Sequence, residues 1–290
     1  MEGTRERWEK HAAVANPGVA SAFAVRFLTR VTLPLVRIAH RATLEGADHL
    51  PAAGPFLLVA NHPSSIGASE FGAFAALYAK RFGRSRPLAA FALAGSFGWW
   101  PLSAVFPHIG AIPSTYAAAR TTLAADVPIV LFPGGDHEGF RPFWEHDHAD
   151  FNGRLGFLRI AREAWVPVVP MGFRGVSAPI VRRSRLLAYF FAWPRIAGVK
   201  RYGLSLLAVI AAALILALVP LAWPWRVLLS WAFATSPLAL LPCVPARIRI
   251  RIGAPIAPET LFGSRDAGEP DEALRRALTL VEEAVTRLQR

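Results

Sequence analysis

Asn61-His62-Pro63-Ser64-Ser65 places a titratable ring directly after the apolar run Phe56-Leu57-Leu58-Val59-Ala60. A run of that length bounded by turn residues reads as a buried strand. The end of such a strand is the rim on which open α/β sheets bind ligands. A neutral imidazole there can take a proton from a hydroxyl at physiological pH. A loop histidine with no chemical role fits the same five residues. Val130-Leu131-Phe132-Pro133-Gly134-Gly135-Asp136-His137-Glu138 repeats the arrangement. Its glycines let backbone amides approach a negative oxygen, and Glu138 could orient a polar ligand group. Many strands simply end in such a turn. Gly110-Ala111-Ile112-Pro113-Ser114 and Val166-Pro167-Val168-Val169-Pro170-Met171-Gly172-Phe173-Arg174-Gly175 are two further turns flanking apolar runs. Glu145-His146-Asp147-His148-Ala149-Asp150, with His137 nearby, has the residue types of a zinc or manganese site, but reads better as a polar surface loop. The chain lacks a Gly-x-Ser-x-Gly elbow, a P-loop and a Gly-x-Gly-x-x-Gly turn, so hydrolase-type serine chemistry and nucleotide cradles have no sequence support.

Around these turns, composition narrows the setting. Hydrophobic residues make up 53% of the 290 residues, Trp numbers 9 and the net charge is +12. Basic chains commonly meet nucleic acid or anionic membrane. The apolar excess favours the membrane, and no Lys/Arg cluster forms a nucleic-acid motif. Cys243 is the one cysteine, so neither an intrachain disulfide nor a cysteine metal site is available, and a reducing compartment is compatible. Residues 1–11 are charged and polar, unlike a secretory leader.

The elements that must position the turns alternate. Strands are expected at 41–46, 55–60, 88–93, 128–132, 167–172 and 247–252, with helices at about 69–82, 115–125 and 153–164. That order predicts an α/β fold, a mainly parallel mixed sheet flanked by helices. Residues 1–40 form a separate N-terminal segment, and 41–290 the main domain. Within the first, 18–40 reads as an amphipathic helix carrying Phe23, Phe27, Val31, Leu35 and Ile38, kinked or broken at Pro34. It suits either a membrane interface or packing on the domain. The stretch 202–242 reads as a hydrophobic helical hairpin bent at Pro220–Pro224 and inserted before the last strand. Each half is a little short of the roughly 20 residues of a membrane span. Arg182, Arg183, Arg185, Arg195, Lys200 and Arg201 precede it, and Arg247, Arg249 and Arg251 follow, which predicts cytoplasmic flanks. Trp193, Trp223, Trp225 and Trp231 suit an interfacial belt. A buried helix pair is the alternative. The final helix spans about 270–289, with Pro270 at its start.

Taken in order, Asn-His-Pro-Ser, Gly-Ala-Ile-Pro, Leu-Phe-Pro-Gly-Gly and Val-Pro-Val-Val-Pro resemble the four blocks of the glycerolipid acyltransferase superfamily. The resemblance covers about 41–175 and the strand at 247–256. The Phe-Pro-Gly-Gly form and Asn152-Gly153-Arg154-Leu155-Gly156-Phe157 resemble its diacylglycerol acyltransferase-like branch.

That resemblance implies a membrane-associated O-acyltransferase acting on a glycerolipid or lysophospholipid hydroxyl. Its donor would be acyl-CoA or acyl carrier protein, with no bound cofactor or metal. The partners would be the bilayer and a lipid acceptor, with the catalytic domain on the cytoplasmic side. His62 would be the general base. Asn61, Ser64, Gly110, Ile112, Phe132, Pro133, Gly134, Gly135, Glu138 and Arg154 would bind substrates, and Arg174 is a further candidate anion contact. The family's acid five positions after the histidine is replaced here by Gly67. Glu70 is expected to reach back and orient His62, with Asp136 or Glu138 as alternatives. Ser114 and Thr115 stand where an arginine is usual, and Gly134 where phosphate-accepting members carry glutamate. Both point to an acceptor without a terminal phosphate. A non-catalytic lipid-binding protein and a lipid hydrolase are the alternative functions.

Overall fold

A computed structural model describes residues 17–64, 67–190, 200–264 and 271–290. Among these residues nine strands carry the architecture: β1 Thr43–Glu45, β2 Leu57–Ala60, β3 Ala89–Ala92, β4 Ala111–Pro113, β5 Ile129–Leu131, β6 Val168–Arg174, β7 Ile180–Ser184, β8 Tyr202–Ser205 and β9 Arg249–Ile252. Seven form one sheet in the order β1-β9-β6-β2-β5-β3-β4. Every pairing in it is parallel except β6 with β9. The expected mainly parallel mixed sheet is therefore present.

Both faces of this sheet are covered, which is why its central strands are continuous apolar runs. Alternate side chains go to opposite faces. Leu57, Val59, Ile129 and Leu131 pack under the helices Tyr116–Ala124, Gly156–Ala164 and Asp271–Gln289. Leu58, Ala60, Val130, Val169 and Met171 face the helices Leu33–His40 and Ala68–Phe82. In β9 the alternation Arg-Ile-Arg-Ile buries Ile250 and Ile252, and Arg251 pairs with Glu45 of β1 at 3.1 Å.

Several expectations need correction. The N-terminal helix bends through a π-type turn at Leu28–Thr32, and Pro34 opens the next helical segment rather than breaking one. Its sheet-facing side is made of Leu33, Val36 and His40, while Phe23, Leu35 and Ile38 are 61–82% exposed. The stretch 202–242 begins as strand β8, paired antiparallel with β7, and only then becomes helix. The helices Leu206–Leu218 and Trp223–Thr235 have 13 residues each. At 1.5 Å per residue each is about 20 Å long, against a hydrocarbon core of about 30 Å. Among the described residues no helix is long and apolar enough to cross a membrane, so a transmembrane helix is not supported. Trp193, Arg195, Ser65 and Pro270 lie outside the described residues.

The insertion is anchored on the domain. Phe140, Ile180, Ala188, Tyr202 and Leu240 make a small core of their own, with the Phe140 and Tyr202 rings 5.1 Å apart. Phe140 belongs to the segment that follows β5, so the insertion packs directly on the turn carrying Gly134 and Glu138.

Candidate active site

Parallel pairing of β2 with β5 sets Val59 beside Leu131, so the chain leaves both strands at the same edge of the sheet. His62 and Phe132 meet there. The His62 ring stands edge-on to Phe71 and Phe132, with centroids 5.1 and 5.6 Å away. Phe71, Phe132 and Phe173 pack against one another behind it in tilted and edge-on pairs. This apolar surround holds the His62 pKa down to about 4, chiefly through burial; His146 and Arg154 push the same way, while the Ser64 carbonyl and Asp136 oppose it. The ring is therefore neutral at physiological pH. Its Nδ1 is enclosed, and among the described residues no partner meets it in hydrogen-bonding geometry, so the Ser64 carbonyl acts on the ring as a nearby dipole. Nε2 is left as the nitrogen able to meet a substrate proton.

Glu70 does not orient that ring. Its buried carboxylate accepts from the Ser64 hydroxyl at 3.0 Å and from the Ser177 amide and hydroxyl, each at 2.8 Å. It ties the His62 turn to the linker between β6 and β7. No side chain fits at position 67 either: Gly67 has φ +59°, and a Cβ there would lie 2.4 Å from the Phe71 ring. An aromatic ring fills the space beside His62 that a longer residue at 67 would need.

The acid that does touch the His62 residue is Glu138. Its Oε2 accepts from the His62 main-chain amide at 2.9 Å. Oε1 accepts from the Asp150 amide at 2.9 Å and from Arg141 at 3.3 Å. Both Glu138 and Arg141 are buried. Burial lifts the Glu138 pKa to about 7 against the pull of these donors and Arg141. Around the pair, Arg141 also donates to the His148 carbonyl at 2.8 Å, and the His146 ring meets the Arg141 carbonyl at 3.0 Å. His137 pairs with Asp150 through Nε2 and is flanked by Arg183 and Arg201 from β7 and the start of β8. The histidines of this segment thus serve a hydrogen-bonded network. Among the described residues no group of three or more possible metal ligands lies together.

Other expected substrate contacts belong to the fold. Asn61 is buried and bonds the Phe173 main chain twice, donating at 3.1 Å and accepting at 2.8 Å, which extends the β2–β6 pairing by one residue. Ser64 is enclosed with Glu70. Ile112 is a core residue of β4. Gly110 has φ +78°, and a Cβ there would lie 2.7 Å from the Gly18 carbonyl, so the N-terminal segment covers it. Arg154 is a clamp: it donates to the Pro133 and Gly134 carbonyls at 3.0 and 2.9 Å and to Asp136 at 2.6 Å. Asp136 in turn accepts the Lys200 and Arg201 amides, at 3.1 and 3.2 Å. Arg174 donates to the Arg290 carbonyl. His62, Phe132, Pro133, Gly134, Gly135 and Glu138 do come together. Sequence reasoning missed Phe71, Arg141 and Ser177. Phe71 falls one turn into the helix expected at 69–82; Arg141 and Ser177 carried no motif signal.

Residues 41–174 match the family model described as Acyltransferase. The crystal structure of the 1-acyl-sn-glycerophosphate (LPA) acyltransferase PlsC from Thermotoga maritima is similar at TM-score 0.48 and 15% identity, covering 91% of this chain and 80% of that one. No curated protein matches the chain at a significant level.

Proposed function

We propose that the chain, whose residues 41–174 match the acyltransferase family model, moves a fatty acyl group from a thioester to a lipid hydroxyl, with His62 as general base. The observation that carries this reading is the His62 ring itself. It sits at the end of the central strand, kept neutral by its aromatic surround, with its Nδ1 enclosed and held by no side chain. In the reaction, Nε2 takes the proton of the acceptor hydroxyl as that oxygen attacks the thioester carbonyl. The tetrahedral intermediate collapses with cleavage of the C–S bond, and the imidazolium returns the proton to the departing thiolate. The low pKa costs basicity. The Asp136 charge and the Ser64 carbonyl both favour the protonated ring and offset part of that cost.

The acceptor is a glycerolipid or lysophospholipid whose reacting end carries no phosphomonoester. Arg154 is spent on the third turn and Arg120 is paired with Glu163. The walls nearest His62 are phenyl rings. The donor is acyl-CoA or acyl carrier protein. The enzyme works at a bilayer surface, on the cytoplasmic side. In support, Trp100, Leu218, Trp223 and Ile38 are 63–85% exposed, a large cost in water that an interface removes. A second reading, a lipid-binding protein without turnover, draws on one observation: among the described residues no carboxylate touches His62 Nδ1.

Radiolabelled acyl-CoA offered with diacylglycerol, monoacylglycerol, lysophosphatidylcholine and lysophosphatidic acid in vesicles tests the proposal. Transfer to the acceptors without a phosphomonoester, ahead of lysophosphatidic acid, is expected. Release of free fatty acid alone points to a hydrolase, and binding without turnover to the second reading.

A further inference from the structure

Gly134 poses a question that its backbone does not answer. Its φ of −60° and ψ of −31° are ordinary right-handed values that any residue adopts. The neighbouring Gly135 differs, with φ +48°. What excludes a side chain at 134 is space: a Cβ there would lie 2.2–2.4 Å from the Oε2, Cγ and Cδ atoms of Glu138. The position is small because the Glu138 carboxylate lies against it.

That carboxylate is surrounded by donors. It accepts the His62 amide on one oxygen and the Asp150 amide and Arg141 on the other. An acceptor for the His62 amide from 76 residues away has no role in strand pairing or helix capping, and it ends on the residue that carries the base.

We propose that Glu138 is a positioning residue, whose carboxylate fixes the His62 main-chain amide and thereby the direction of the His62 ring, and that Gly134 is glycine in order to admit it. The inference rests on the acyl-transfer reading for its kinetic consequence but not for the contact itself. A carboxylate suits this place better than an amide. Glutamine presents one acceptor and one donor, so in either orientation its NH2 group faces an N–H, at His62 or at Asp150 and Arg141. The groups facing Glu138 are Arg141, the Asp150 carboxylate and amide, the His62 amide and, beyond Arg141, His148. Arg141 favours its ionised form and the Asp150 charge opposes it.

The test compares Glu138→Gln, Gly134→Ala and the double variant with the parent, at saturating acyl-CoA and acceptor. Each single change is expected to lower kcat about 10–100-fold, the range for a misplaced catalytic group, with the acyl-CoA KM changed less than about twofold. The double variant should be no slower than the slower single one, because both changes displace the same carboxylate. A second readout needs no activity. With histidine labelled by 15N, the His62 amide resonance, identified by its loss in His62→Ala, should be displaced in Glu138→Gln from its place in the parent, because the charged acceptor of that amide is gone. Full kcat in Glu138→Gln, additive losses in the double variant, or a His62 amide at the same position in parent and Glu138→Gln would each overturn the proposal. A parent with no transfer refutes the functional reading instead, and the amide displacement then decides the contact alone.

Discussion

Replacing Asn61 with alanine should damage folding before it damages chemistry. The Asn61 side chain supplies both partners of the Phe173 main chain, and Phe173 is only 2% exposed. Without it, one buried N–H and one buried C=O are left unpaired. Each orphaned group costs about 1–3 kcal/mol, so the variant should lose roughly 2–6 kcal/mol. For a chain of this size that lowers Tm by roughly 3–10 °C. Asn61→Asp is the sharper probe. Its carboxylate still accepts the Phe173 N–H but turns a negative oxygen toward the Phe173 carbonyl. A carboxyl in that place has its folded pKa raised, so the folded state binds more protons than the unfolded one above the ordinary Asp range. Stability must then rise as pH falls through that raised pKa, because the protonated group donates again. Urea melts of parent, Ala and Asp forms at several pH values measure this. A stable Asn61→Ala protein with a selectively raised acceptor KM would refute the reasoning and return Asn61 to the substrate site.

Changing Arg154 to alanine should loosen the turn that it clamps. Loss of activity toward every acceptor alike is expected, with lysine unable to restore it; a KM increase confined to anionic substrates would mark it as an anion contact instead. Acid should destabilise the protein between about pH 6.5 and 4, since burial holds both His62 and His146 at about 4 while the unfolded chain already binds their protons. Replacing His146 with Gln should flatten that part of a Tm–pH curve. Glu138, raised to about 7, contributes the opposite slope. Serine at both Trp223 and Trp225, which are 63% and 59% exposed, should weaken flotation with anionic vesicles and leave Tm within a few degrees; equal flotation would remove the hairpin tip from the membrane contact.

The parts of this fold that were legible are those where burial writes a period into the sequence. β2 and β6 lie between two helical layers and read as unbroken apolar runs, and β9, buried on one side, reads as Ile alternating with Arg. β7 was hidden because two consecutive arginines interrupt the apolar pattern of Ile-Val-Arg-Arg-Ser, Arg182 being exposed and Arg183 bonding the His137 carbonyl at 2.6 Å. β8 was hidden because Tyr202–Ser205 runs into an apolar helix without a break. His62 stood out because a strand end, a proline and a family block coincide there. The expectation that Glu70 orients it came from sequence proximity, and the nearer hydroxyls of Ser64 and Ser177 take that carboxylate instead. Glu138 was visible as a polar residue in a glycine turn. Its bond to a main-chain amide 76 residues away depends on the β2–β5 pairing and carries no local signal.

The central claim is that His62 is the base for acyl transfer to a lipid hydroxyl. Its most direct test is the rate of labelled acyl transfer from acyl-CoA by His62→Ala, in vesicles, with Tm recorded on the same preparation. The account predicts a fall of about a hundredfold or more, within the range for removing a general base, with Tm held within a few degrees. Transfer by His62→Ala at the parental rate would contradict it.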